Sequence, residues 1–76
     1  MEEKKVKLRI YGMTCEDCVE TISRSLLERQ GVMDVNISLQ DGIGEVEIDP
    51  TQLKPENILK DQVFSRNSRY KATLIE

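Results

Sequence analysis

A four-stranded antiparallel sheet with two helices on one of its faces, an α+β sandwich, is the fold class this sequence predicts. Two observations carry it. Segments whose apolar residues alternate and segments whose apolar residues recur at helical spacing follow one another in the order βαββαβ. The chain is also only 76 residues long, so all six segments must share one small core.

The elements follow in chain order. Val6, Leu8 and Ile10 alternate with Lys5, Lys7 and Arg9, which predicts a strand with one buried face, ending at Tyr11. Gly12 permits a turn, and Thr14 with Asp17 three positions on has the form of a capping box opening a helix. Val19, Ile22, Leu26 and Leu27 recur at helical spacing along it, and Gly31 is placed to cap its end. Val35, Ile37 and Leu39, the Asp41-Gly42 turn, and Val46 with Ile48 form a hairpin. Asp49-Pro50 closes that strand, and Pro55 introduces a second helix with Ile58, Leu59 and Val63 on one side. Ser65 to Arg69 is a polar loop, and Tyr70, Ala72 and Leu74 alternate along a final strand.

Two right-handed βαβ crossovers in so short a chain specify the ferredoxin-like sandwich. If the first and last strands pair antiparallel, the loop after the first lies at the end where the last begins. Tyr70 is then placed near Cys15 and Cys18. Residues 1–76 are read as a single domain, with residues 1–3 frayed.

The bulk chemistry excludes several classes. Hydrophobic residues at 38% and charged residues at 33% fit a folded domain, not a disordered tail. A net charge of -3 with scattered basic residues and only Tyr11, Phe64 and Tyr70 as aromatics argues against a nucleic-acid module. No apolar run reaches the roughly 20 residues that span a bilayer, and no signal-peptide core follows the first five residues, so no membrane insertion is expected and the chain reads as cytoplasmic. A reducing cytosol keeps Cys15 and Cys18 as thiols. No carboxylate pair, nucleophile–base arrangement or phosphate-cradling loop stands out, so the chain is not read as an enzyme.

Chemistry concentrates in Gly12-Met13-Thr14-Cys15-Glu16-Asp17-Cys18, which holds the only two cysteines of a chain without histidine. Two thiolates three positions apart, the second on the first turn of a helix, can converge on one ion, and thiolate favours Cu(I), Hg(II) and similar ions over Mg or Ca. The helix start favours thiolate, whereas Glu16 and Asp17 oppose it. Structural zinc needs four protein ligands and an iron–sulfur cluster four cysteines, so neither fits. Low-coordinate soft-metal binding and thiol–disulfide chemistry remain.

GMTCxxC at a strand-to-helix junction in a βαββαβ pattern resembles the heavy-metal-associated domain family. The resemblance implies Cys15 and Cys18 as ligands of one ion in a near-linear two-sulfur arrangement, with Gly12, Met13, Thr14 and Tyr70 supporting the metal loop. It implies transfer to a partner dithiol by stepwise ligand exchange, in metal resistance or homeostasis, by a monomer. Tyr70-Lys71-Ala72-Thr73-Leu74 is similar to the ending of the amino-terminal domain of mercuric reductases, then to bacterial copper chaperones, which places Hg(II) ahead of Cu(I). A Cu(I) metallochaperone or copper-ATPase metal-binding domain is the alternative, and a thiol–disulfide oxidoreductase follows. Phe64-Ser65-Arg66-Asn67-Ser68-Arg69 departs from the family pattern of a short turn with glycine before the aromatic residue.

Overall fold

The computed structural model describes residues 2–75. Its elements are β1 (Lys4–Tyr11), α1 (Glu16–Leu27), β2 (Val32–Ser38), β3 (Ile43–Ile48), α2 (Pro55–Ile58), a 3-10 turn (Gln62–Phe64) and β4 (Lys71–Leu74). The four strands form one antiparallel sheet in the order β2-β3-β1-β4, the ferredoxin-like arrangement. Of the frayed segment read from the sequence, residue 1 lies outside the described residues, and Glu2 and Glu3 are exposed ahead of β1.

Alternation in β1 does what its period demands. Val6, Leu8 and Ile10 are buried, with Val46 and Ile48 of β3 beside them on the same face. Lys5, Lys7 and Arg9 project to the other face, where Lys7 stands opposite Glu45 across the ladder. At 4.0 Å and exposed, the ion pairs of Lys5 and Lys7 with Glu45 contribute little beyond register. Burial against the helices contributes far more. Cys18, Ile22 and Leu26 of α1 and Ile58 of α2 join the β1 and β3 residues in one core cluster. A fully buried Leu or Ile stabilises by about 1.5–3 kcal/mol relative to exposure.

Helix α1 buries a residue every fourth position, so Leu26 takes the core site and Leu27, predicted on the same stripe, is 49% exposed. The helix ends at Leu27. Gly31, expected as its cap, lies within a further turn closed by the Val32 amide on the Arg29 carbonyl, with φ of 97°. Met33 occupies the irregularity in the β2–β3 register and is exposed there. After β3, Asp49 folds the chain back: its carboxylate accepts from the Thr51 hydroxyl and amide and from the Gln52 amide group, and these bonds hold its pKa below the ordinary 3.8.

The second helix is shorter than its apolar spacing suggests. It stops at Ile58, and Val63 is buried from a separate 3-10 turn. Asp61 causes the break. Its backbone is extended at ψ 148°, and its carboxylate caps the new turn by accepting from the Val63 amide at 3.1 Å. The same carboxylate, 4% exposed, accepts from Ser25 Oγ at 2.7 Å and Arg29 Nη1 at 2.9 Å. Helix α1 is thereby pinned to the turn that replaces the end of α2.

Candidate metal centre

Strand β1 pairs with β4 so that Tyr11 stands opposite Lys71. The loop that leaves β1 therefore meets the loop that enters β4. Gly12 makes the turn at φ of 94°, and a Cβ there would collide with the Arg69 carbonyl oxygen. Met13 is half-buried and packs against the core cluster, while Thr14 is exposed.

Cys15, not Thr14, caps the helix. It is extended at φ -153° and ψ 165°, and its sulfur accepts from the Cys18 amide at 3.2 Å. The Cys15 carbonyl receives the same amide at 3.1 Å. A sulfur in the N-cap position uses one of the orphan N–H groups of the first turn, an interaction that grows stronger when the sulfur is anionic. The capping box read from Thr14 and Asp17 is thus replaced by the cysteine itself.

The two cysteines occupy different surroundings. Cys15 is exposed, whereas Cys18 is 2% exposed and heads the core stripe that continues through Ile22 and Leu26. Their Cα atoms are 5.2 Å apart, and the sulfurs are joined as a disulfide rather than standing as the two free thiols expected from the sequence. Among the described residues no cluster of three or more His, Cys, Asp or Glu side chains offers a metal a fuller coordination shell. Two sulfurs outside any such cluster fit a low-coordinate soft ion better than a four-ligand zinc.

Tyr70 is buried immediately before β4, and its Cα lies within van der Waals reach of where a Gly12 Cβ would be. The structure thus brings Gly12, Met13 and Tyr70 to the foot of the cysteine loop, with Thr14 on its outer side. The Arg69 guanidinium carbon sits 5.6 Å from the Tyr70 ring centroid. Sequence reasoning missed what holds this wall. Ser68 Oγ donates to the Val63 carbonyl and accepts from the Tyr70 amide, and Lys71 Nζ donates to the carbonyls of Ser65, Arg66 and Ser68.

A two-helix antiparallel sandwich carrying a cysteine pair where β1 passes into α1 defines a class of small soft-metal clip domains. The heavy-metal-associated domain pattern matches residues 7–62, and the chain belongs to that family. It is 34% identical over 73 residues, 96% of the chain, to human Copper-transporting ATPase 2, of whose length it spans 5%. Among solved structures, it is similar to the N-terminal domain of a potential copper-translocating P-type ATPase from Bacillus subtilis in the Cu(I)-loaded state. That match has a TM-score of 0.83 at 25% identity and covers 96% of this chain and 88% of the other. Oxidised MerP from Ralstonia metallidurans CH34 shares the fold at a TM-score of 0.84 and 20% identity, covering 99% and 100% of the two chains. The chain is thus a small domain of the heavy-metal-associated family, related to copper-transporting ATPases.

Proposed function

We propose that this domain carries one Cu(I) ion on Cys15 and Cys18 and passes it to a partner protein that presents a dithiol. The observation that carries the reading is the unequal pair itself: an exposed sulfur at a helix N-cap, a buried sulfur one turn on, and no cluster of three His, Cys, Asp or Glu side chains among the described residues. The copper in the names of the sequence relatives supports Cu(I) as cargo. Tyr70 beside Gly12 supports a second reading, Hg(II), through the resemblance of the chain's ending to mercuric-ion domains.

Loading starts from the reduced site. The Cys15–Cys18 disulfide takes two electrons and two protons from a dithiol reductant, which becomes a disulfide in turn. The two thiols then bind the ion as thiolates and release their protons. Transfer runs through an intermediate in which an incoming partner thiolate replaces one sulfur at a time. Cys15, at the surface, is displaced first. Cys18 lets go last, because a partner must reach past the loop to approach it. A reducing, cytoplasmic setting suits this chemistry, and residues 1–76 serve as one unit of it in metal homeostasis or resistance, alone or within a larger transporter or reductase.

Titration of the reduced protein in matched thiol buffer tests both readings. One equivalent of Cu(I) is expected to bind, with both thiols protected from alkylation, and competition with Hg(II) ranks the cargo. Cys15→Ser and Cys18→Ala are each expected to lose most of the affinity. A Cys15→Ser/Cys18→Ala double variant that bound Cu(I) as tightly as the parent would sink the proposal.

A further inference from the structure

The segment that walls the cysteine loop is held at the surface by one side chain. Lys71 opens β4 opposite Tyr11, and its ammonium turns back under residues 65–68. It donates to the Ser65 carbonyl at 2.7 Å, the Arg66 carbonyl at 3.2 Å and the Ser68 carbonyl at 2.7 Å. An ammonium has three N–H donors, so all of them are engaged on this one loop. Ser68 locks the same loop from the other side through Val63 and Tyr70. The next carbonyl along, that of Arg69, is the one lying against Gly12 so closely that no Cβ fits.

We propose that Lys71 is a positioning residue for the Cys15/Cys18 loop: by gathering three carbonyls of loop 65–68 it presses the Arg69 carbonyl against Gly12 and fixes the turn that delivers Cys15. The charge of Lys71 is spent on the loop rather than offered to a partner. Removing it frees residues 65–69, withdraws the wall from Gly12, and lets residues 12–14 sample other turns. The role in the turn stands on geometry alone. The consequence for the ion rests on the Cu(I) reading.

Backbone relaxation measurements on the full oxidised chain read the first part without any metal. In Lys71→Met, order parameters at residues 12–14 are expected to fall from about 0.85 to below about 0.6, while residues 43–48 of β3 stay near the rigid value. Ser68→Ala, which loosens the same loop by another bond, is expected to give the same pattern. Lys5→Met, which removes a charge from the far end of the sheet, is expected to leave residues 12–14 rigid. Residues 12–14 unchanged in Lys71→Met, a fall spread evenly over β3, or an equal effect of Lys5→Met would each overturn the assignment. In the reduced protein, the Cu(I) dissociation constant, read by competition with a chelator, is expected to rise by about fivefold in Lys71→Met, the low end of coupling between linked sites. A parent that took up no Cu(I) would refute the cargo reading, and the relaxation result would still decide the role of Lys71.

Discussion

Gly12 has two separate reasons to lack a side chain, and they predict a large effect for a small change. Its φ of 94° is unfavourable for any L residue, and the Arg69 carbonyl fills the space a Cβ would need. Gly12→Ala is expected to cost about 2–3 kcal/mol, which in a domain of this size lowers the melting temperature by roughly 10 °C or more. Calorimetry on the oxidised protein checks this, and a loss under about 0.5 kcal/mol would show that the loop yields freely. The meeting of Gly12, Cys15 and Cys18 at one turn is legible because the residue types announce it: a glycine after a strand, and two sulfurs at clip spacing. What the sulfurs do locally is not. Thr14 carries the stronger sequence signal for an N-cap, yet the turn at Gly12 sets Cys15 at the helix mouth, and the sulfur takes the bond instead.

Among the elements, β1 and β3 follow their alternation closely, since a strand with one buried face leaves little freedom in register, whereas β2 ends before Leu39 and shifts register after Val32, and β4 begins after Tyr70 and leaves Leu74 exposed. The second helix is shorter than its pattern implies. Ile58, Leu59 and Val63 keep helical spacing, but Asp61 between them is drawn 36 residues back in sequence to Ser25 and 32 to Arg29, and there it caps a fresh turn. Long-range pairs of that kind leave no local mark, so sequence alone does not tell a buried aspartate from a solvated one. Asp61→Ala is expected to destabilise the fold by about 2–3 kcal/mol, because it strands the half-buried Arg29 and uncaps Val63. Asp61→Asn, which keeps an acceptor for Ser25 and Val63, is expected to cost visibly less in denaturant melts. Equal losses in the two variants would mean that the charge, not the cap, holds α1 to the turn.

At the scale of the whole molecule, one cluster of apolar residues supports both the fold and the site, for Cys18 is a core residue as well as a candidate ligand. On the proposed Cu(I) reading, metal binding and stability are therefore linked. Cu(I) buffered at about 100 times its dissociation constant is expected to stabilise the reduced protein by roughly 2.7 kcal/mol, with a matching rise in melting temperature. The disulfide form, whose sulfurs are already bonded to each other, is expected to show no such rise. Thermal melts of both forms with and without the ion decide the matter, and an equal shift in the oxidised protein would place the ion elsewhere. The ferredoxin-like frame is legible as a whole from element order, whereas the choice of cargo is not, because two thiolates suit Cu(I) and Hg(II) alike.

The pairing of β1 with β4 has a further result for how such a unit is deployed. β1 runs toward the cysteine loop, so any chain continuing before Lys4 attaches at the far end of that strand, whereas Leu74 stands opposite Leu8, midway along it. The strand from Lys4 to Tyr11 sets that end about 23 Å from the start of the cysteine loop. On the proposed transfer reading, a tether before Lys4 acts as a stalk: it raises the local concentration of the tip around a neighbouring acceptor without crossing the cysteine loop.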